Sequence, residues 1–313
     1  MKIFKILSQS FLRKELLGKR GLKFLILTGL TSVSLSACNK ADYLDIDAGA
    51  RPALSAKVKF VNARVSPGAV QFWDFTRQVT STAIIRNGST PGYLDTQYGK
   101  VQYNVTEGTG TTYKASYLFG GSSIFVQETD KASFAGPNGP IASYYHTLFV
   151  VPKLKSSKLN PGNTDSLVFV YDDLSVPATG KAKIRFANFS PDAPKLNFTY
   201  EGGTPVFTGV GYGSFGDQTI ITYDANGKAP ANIPGLSWKT LGPFKEIPAG
   251  TGLNFELRNA QTNALITLPN NSLSNINLEA GKIYTIFISG AQSGNALFSA
   301  TVIKHTKEDQ SSQ

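Results

Sequence analysis

Cysteine is almost missing: Cys38 is the only one in 313 residues, so no disulfide can form within the chain and its domains must stand on their cores. Histidine is nearly as scarce, with His146 and His305 alone. One Cys and two distant His cannot assemble the usual zinc sites, and no metal ligands or cofactor are assigned. No G-x-S-x-G nucleophile elbow occurs. His146 falls in an apolar, strand-like run and His305 in what reads as a polar tail, so neither is read as a positioned base. Asp172 and Asp173 are adjacent, and neighbours on a strand point to opposite faces, so they read as a strand end rather than a carboxylate pair. No catalytic residue is assigned, and the chain is read as a non-enzyme. Long apolar runs are missing too: Phe24 to Leu35 is twelve residues with Thr and Ser inside it, and a spanning helix needs about 20. Helical spacing is rare.

What is plentiful is aromatic and β-branched. The chain has 20 Phe and 13 Tyr, with 30 Gly and 16 Pro to punctuate it, which predicts an all-β protein of about two domains. The formal charge of +10 is concentrated at one end. Of 31 Lys and Arg and 21 Asp and Glu, seven and one lie before Cys38, leaving 24 against 20. The remaining basic residues are scattered singly, which excludes a phosphate-binding stripe and leaves no nucleic-acid partner.

The N-terminal layout is a basic stretch, the short apolar run and then "LSAC". Leu35, Ser36, Ala37 and Cys38 resemble the bacterial lipobox read by lipoprotein signal peptidase. The resemblance implies a cleaved signal peptide at 1–37 and an acylated Cys38 as the first mature residue. Membrane lipid would then be its first partner. Several acyl chains, at about 0.8 kcal/mol per buried CH₂, would hold it almost permanently. Residues 38–55, with Asp42, Asp45 and Asp47, read as a solvated tether. "YLDI" within it resembles the opening of SusD-type surface lipoproteins of Bacteroidetes-like bacteria, although nothing downstream resembles their helical body. The expected location is the outer membrane, facing the cell surface.

The rest of the chain repeats itself. "AKVKFVNARVSPGAVQF" from Ala56 and "AKIRFANFSPDAPKLNF" from Ala182 match 126 residues apart, with Phe60, Asn62 and Phe72 meeting Phe186, Asn188 and Phe198. "VTEGTG" from Val105 is paired with "IPAGTG" from Ile247, and "HTLFVV" from His146 with "YTIFIS" from Tyr284. Each copy closes on an apolar strand, 166–171 and 296–303. The organisation predicted is two tandem Ig-like antiparallel β-sandwiches, at 56–174 and 181–304, followed by a polar tail at 305–313. In "AKIRFANF", Ala182, Ile184, Phe186 and Asn188 should face a core, and Lys183, Arg185 and Ala187 the opposite side. Pro191, Asp192 and Pro194 should stop the pairing and turn the chain into a second sheet.

The second copy resembles the bacterial family called domain of unknown function 4397. It carries that family's alternating strand, then Ser190 to Pro194, Thr208 to Gly213, Pro248 to Thr251 and Glu279 to Thr285, in order over most of 181–304. It departs in an insertion at 219–241, and the first copy keeps only fragments, such as Ser66 to Ala69. The resemblance implies an extracytoplasmic sandwich module and no activity.

Three local patterns invite function. Gly211 to Gly216 satisfies G-x-G-x-x-G, but β-like sequence follows it and the helix that would hold a pyrophosphate is missing, so these are turn glycines. "DSL", Asp165 to Leu167, resembles an O-glycosylation acceptor. Trp73 and Phe75 should point outward from their strand, either toward a sugar ring or into the seam between the two sandwiches, and Trp238 in the insertion is a further candidate. The function expected is a lipid-anchored envelope protein for display, adhesion or scaffolding, with an envelope protein or a polysaccharide as partner. A carbohydrate-binding lipoprotein is the alternative, and an envelope enzyme ranks third.

Overall fold

In a computed structural model that describes residues 54–119, 139–153, 164–216, 242, 244–293 and 297–307, every regular element is a strand. The first half contains β1 (Ala56–Asn62), β2 (Val70–Asp74), β3 (Arg77–Gln78), β4 (Leu94–Thr96), β5 (Val101–Glu107), β6 (Tyr113–Phe119), β7 (Tyr145–Pro152) and β8 (Asp165–Tyr171). The second contains β9 (Lys181–Asn188), β10 (Leu196–Tyr200), β11 (Pro205–Val210), β12 (Ser214–Phe215), β13 (Lys245–Pro248), β14 (Gly250–Leu253), β15 (Phe255–Asn259), β16 (Leu265–Ile266), β17 (Ile276–Leu278), β18 (Ile283–Ser289) and β19 (Ser299–His305).

Each half is a sandwich. The first packs sheet β4-β1-β7-β8 on sheet β3-β2-β5-β6, and the second packs β12-β9-β18-β19 on β11-β10-β15-β16, with β13 also on β9 and a separate β14-β17 pair. The registers repeat. Val58 pairs with His146 as Ile184 pairs with Tyr284, and Phe72 pairs with Val105 as Phe198 pairs with Leu257. Phe60 on Phe72, with ring centroids 4.8 Å apart, and Phe186 on Phe198, at 4.7 Å, are the same core contact made twice.

One expected match does not hold. Val105 lies in β5, opposite β2, whereas Ile247 lies in β13 and pairs with Ala182 of β9. The structural counterpart of β13 is β4, which pairs with β1 through Leu94 and Val58. The shared "GTG" is turn chemistry arising twice. The sandwiches also depart from a purely antiparallel plan, because β1 runs parallel to β7 and β9 parallel to β18. Parallel strands need both faces covered. Both faces of β1 and β9 are indeed buried almost end to end, and the polar tail begins later than expected, since β19 runs through His305.

The repeated phrase is a corner clamp. Asn62 sits at the end of β1; its Nδ2 donates to the Gly68 and Ile84 carbonyls at 3.2 and 3.0 Å, and its Oδ1 accepts the Arg64 N–H at 3.3 Å. Asn188 at the end of β9 does the same with the Pro194 and Val210 carbonyls, at 3.4 and 3.3 Å, and the Ser190 N–H at 3.0 Å. An amide is needed because the corner presents both carbonyls and an N–H, which neither carboxylate nor hydroxyl can serve together. Asp192 then takes the backbone N–H groups of Gln292 and Ser293 at 2.7 and 2.9 Å, tying the corner to the loop after β18. Asn62→Ala and Asn188→Ala should each cost about 1–3 kcal/mol, because buried backbone groups lose their partner. Urea unfolding should show a lowered midpoint at an unchanged m-value.

Candidate functional site

The two sandwiches meet through the same face of the same sheet. Val61 on β1 and Ala63 just beyond it, with Phe149 and Val151 on β7 and Val168 and Val170 on β8, face Ala187, Phe189, Phe215, Phe287 and Ile303 of the second half. Phe149 and Phe287 occupy equivalent places on β7 and β18 and touch, with ring centroids 6.0 Å apart. Lys183, Arg185 and Ala187, expected opposite the core, are therefore covered by the neighbouring sandwich.

One end of this seam is ionic and closed to solvent. Arg185 donates from Nη2 to Asp172 Oδ1 at 2.8 Å, and both side chains are 0 % exposed. The guanidinium also reaches Thr285 Oγ1 and the carbonyls of Tyr171 and Gly242. Asp172 Oδ2 accepts from Tyr93 at 2.8 Å and from Thr147 at 2.5 Å. Tyr93 Oη lies 2.7 Å from His305 Nδ1, and Thr285 Oγ1 lies 2.8 Å from His305 Nε2. One proton assignment satisfies all of them. His305 is neutral, with its proton on Nδ1 donated to Tyr93, and Tyr93 donates to Asp172. Thr285 donates to Nε2 while accepting from Arg185. Gly242, at φ +64°, closes the pocket: a Cβ there would lie 3.3 Å from Arg185, Phe215 and Val170.

The titration follows the geometry. Burial pushes Asp172 up, but Arg185, then His305, Thr147 and Tyr93 outweigh it and hold its carboxyl below the usual range. Burial beside Asp172 raises Tyr93 well above an ordinary phenol. Desolvation lowers His305 to about 3 against the pull of Asp172, and lowers His146 to about 4. A closed set of perturbed groups resembles a catalytic cluster in its pKa pattern. Here Asp172, Tyr93, Thr285, Arg185 and His305 are buried and bonded to one another, so the arrangement welds the halves together, while His146 stacks on Phe169 inside the first sandwich. Asp172, read as a strand end, and His305, read as a tail residue, are its central members, and Asp173 pairs with Lys183 beside it at 2.9 Å.

An opening that faces solvent lies on the far side of the first sandwich. Trp73, half-buried on β2, donates from Nε1 to Thr106 Oγ1 at 3.1 Å. It forms the floor of a shallow cleft of about 350 Å³ with Gln71, Gln78, Thr106, Thr111 and Tyr113. Trp73 thus points outward as its alternation predicts, but away from the seam, because the seam uses the other sheet. Phe75 does not point outward. It turns the β2–β3 hairpin at φ +49° and packs against the first core. Ser166, the hydroxyl of the acceptor-like "DSL", is 1 % exposed within β8 and closed to modification. Leu35, Ser36, Ala37, Cys38 and Trp238 lie outside the described residues.

No family model matches the chain, and no curated protein matches it. Among solved structures it is similar to a provisionally named cell adhesion protein from Bacteroides eggerthii, at 11% identity over 82% of this chain and 97% of that one, with a TM-score of 0.18. A second such protein, from Bacteroides uniformis, is 9% identical over 80% of this chain and 97% of that one, with a TM-score of 0.19. Function has to be argued from the chain's own geometry.

Two buried histidines, His305 in the seam and His146 stacked on Phe169 of the first core, make stability depend on acid in a defined window. His305 and His146 are neutral when folded down to about pH 3 and 4 but take a proton near 6.5 when unfolded. The unfolded chain therefore binds more protons below 6.5, and stability should fall by about 1.4 kcal/mol per pH unit for each histidine as pH drops toward 4. Chemical denaturation at pH 7.5 and 5 should show that loss, and equal stability at both would contradict it. Arg185→Met strands the Asp172 charge and should cost about 3–5 kcal/mol at neutral pH, measured the same way.

Proposed function

We propose that the protein is a non-catalytic surface lipoprotein whose paired sandwiches form one rigid display body, held to the outer membrane through acylated Cys38 and serving adhesion or scaffolding. The observation that carries this reading is the seam. Tandem domains in one chain move relative to each other unless their interface is large and apolar. Here an aromatic centre and a fully satisfied ion network fill it, and polar contacts line its other edge, where Asn87 bonds Ser289 and Ser299. A body of that kind presents its outer faces in fixed relation, which suits holding a partner rather than closing on a substrate. The perturbed side chains that a catalyst would expose are the ones the seam consumes.

The second reading, a carbohydrate-binding lipoprotein, is favoured by one observation, the solvent-facing cleft at Trp73. It is compatible with the first, since adhesion needs something to adhere to.

Protease treatment of intact native cells, followed by detection with an antibody raised against 51–313, tests the location. Cleavage on intact cells, with a periplasmic control untouched, is the expected result. Protection until the outer membrane is opened would overturn surface display. Radiolabelled palmitate should enter the wild-type chain and not Cys38→Ser, and label in both would overturn the anchor.

A further inference from the structure

We propose that the cleft on the outer sheet of the first sandwich binds an uncharged pyranose unit of a polysaccharide, stacked on Trp73. The proposal rests on the display reading and names its ligand class. Among the described residues, none of the nine that line the cleft is charged. The nearby Arg77 is paired with Asp74, so it is not a free cation at the rim. A site for an anionic sugar, a nucleotide or a peptide terminus would need an uncompensated charge, whereas hydroxyl groups ask only for amides and hydroxyls that can donate and accept. The cleft supplies these. Gln71 and Gln78 flank Trp73, Thr106 and Thr111 stand beside it, and Tyr113 closes the opposite rim at 38 % exposure. Gln78 gives its Nε2 to the Thr80 carbonyl at 2.8 Å, which leaves its Oε1 to accept from a ligand hydroxyl.

Trp73 is held rather than loose. Its indole N–H is fixed on Thr106, and beside Thr106 on the same sheet face Gln102, Asn104 and Ser116 bond one another at 2.6–3.1 Å. A pre-set ring loses little entropy on meeting the C–H face of a sugar. A 350 Å³ hollow is within the size range of small-molecule sites, and its shallowness suits one unit of a chain that continues past it.

The second sandwich supplies an internal control. Its β10 and β15 repeat the registers of β2 and β5, so Thr199 stands where the first has Trp73, and Glu256 and Arg258 stand where it has Asn104 and Thr106. Glu256 and Arg258 neutralise each other across 2.7 Å. The fold therefore requires neither an indole nor an uncharged amide and hydroxyl at these three positions. Their presence in the first copy alone is explained by a ligand.

Affinity for one unit will be weak and reinforced by repetition along a polymer. The purified full chain, in detergent, is run through native gels containing neutral polysaccharides (a β-glucan, an α-glucan, a mannan, a xylan) or acidic ones. Retardation by at least one neutral polymer is expected, with Trp73→Ala and Tyr113→Ala each weakening it about tenfold or more while the chain still unfolds in a cooperative thermal transition. Should Trp73→Ala fail to fold, Gln78→Ala and Tyr113→Ala decide, since both side chains stand exposed on the rim. Retardation by none of the neutral polymers, by acidic polymers alone, or equally in wild type and rim variants would overturn the proposal. None of these results touches location, which the cell-surface experiment reads independently.

Discussion

The docking of the two sandwiches depends on the Arg185–Asp172 pair having no water to turn to. Two opposite charges at 0 % exposure are costly to bury, and they are tolerated only where geometry and neighbouring hydrogen bonds leave nothing unpaired. Tyr93, Thr147, Thr285 and His305 provide those bonds. The four come from both halves, so the charge pair is satisfied only when the sandwiches are docked. Separation would break the pair and expose the apolar residues around Phe149 and Phe287 to water along with it. The apolar centre around Phe149 and Phe287 supplies the attraction, and the ionic end fixes the register in which it is used.

The strand pattern and the duplication were legible in the sequence because they are local. Phe60, Asn62 and Phe72 recur as Phe186, Asn188 and Phe198 since a core contact and a corner clamp each need a particular side chain at a particular place. The seam was not legible. Lys59, Lys183 and Arg185 alternate with core residues as solvent-facing residues do, and only the presence of a second sheet across them makes them buried. Tyr93 and His305 stand 212 residues apart, and nothing in either neighbourhood points to the other. Trp73 lay between these cases. Its alternation gave its face correctly, but which face of which sheet meets the other sandwich is decided by packing of whole sheets. The "GTG" pair failed for a related reason: tight turns draw on few residues, so they recur without common position.

Using the inner sheets for docking decides what is left for partners. Both inner sheets are covered on two sides, so among the described strands the outer sheets hold the broad faces that remain free. There the two copies have diverged, one toward Trp73, Asn104 and Thr106, the other toward Thr199, Glu256 and Arg258. Their cores and clamps stayed alike. A fold repeated for its stability can change most where stability is least involved, and the outer faces are such places.

The seam is not made of identical copies. It is self-complementary in form: Lys59 answers to Arg185, Thr147 to Thr285, Tyr93 to Phe244 and Asp172 to His305 by strand register. Even the stacking repeats, with Lys59 Nζ 5.7 Å from the centre of the Tyr93 ring and the Arg185 guanidinium 4.4 Å from that of Phe244. This is the contact pattern of a two-fold dimer placed inside one chain. In a true repeat, however, a second aspartate would stand at 305. His305 Nδ1 lies 3.7 Å from Asp172 Oδ2, and two carboxylates at that separation in a dry site cannot both ionise. A neutral histidine removes the conflict: it donates to Tyr93 and accepts from Thr285, and it leaves Arg185 with a single anion to satisfy. Joining the copies in one chain is what permits this asymmetry, because each position can then be substituted without its counterpart.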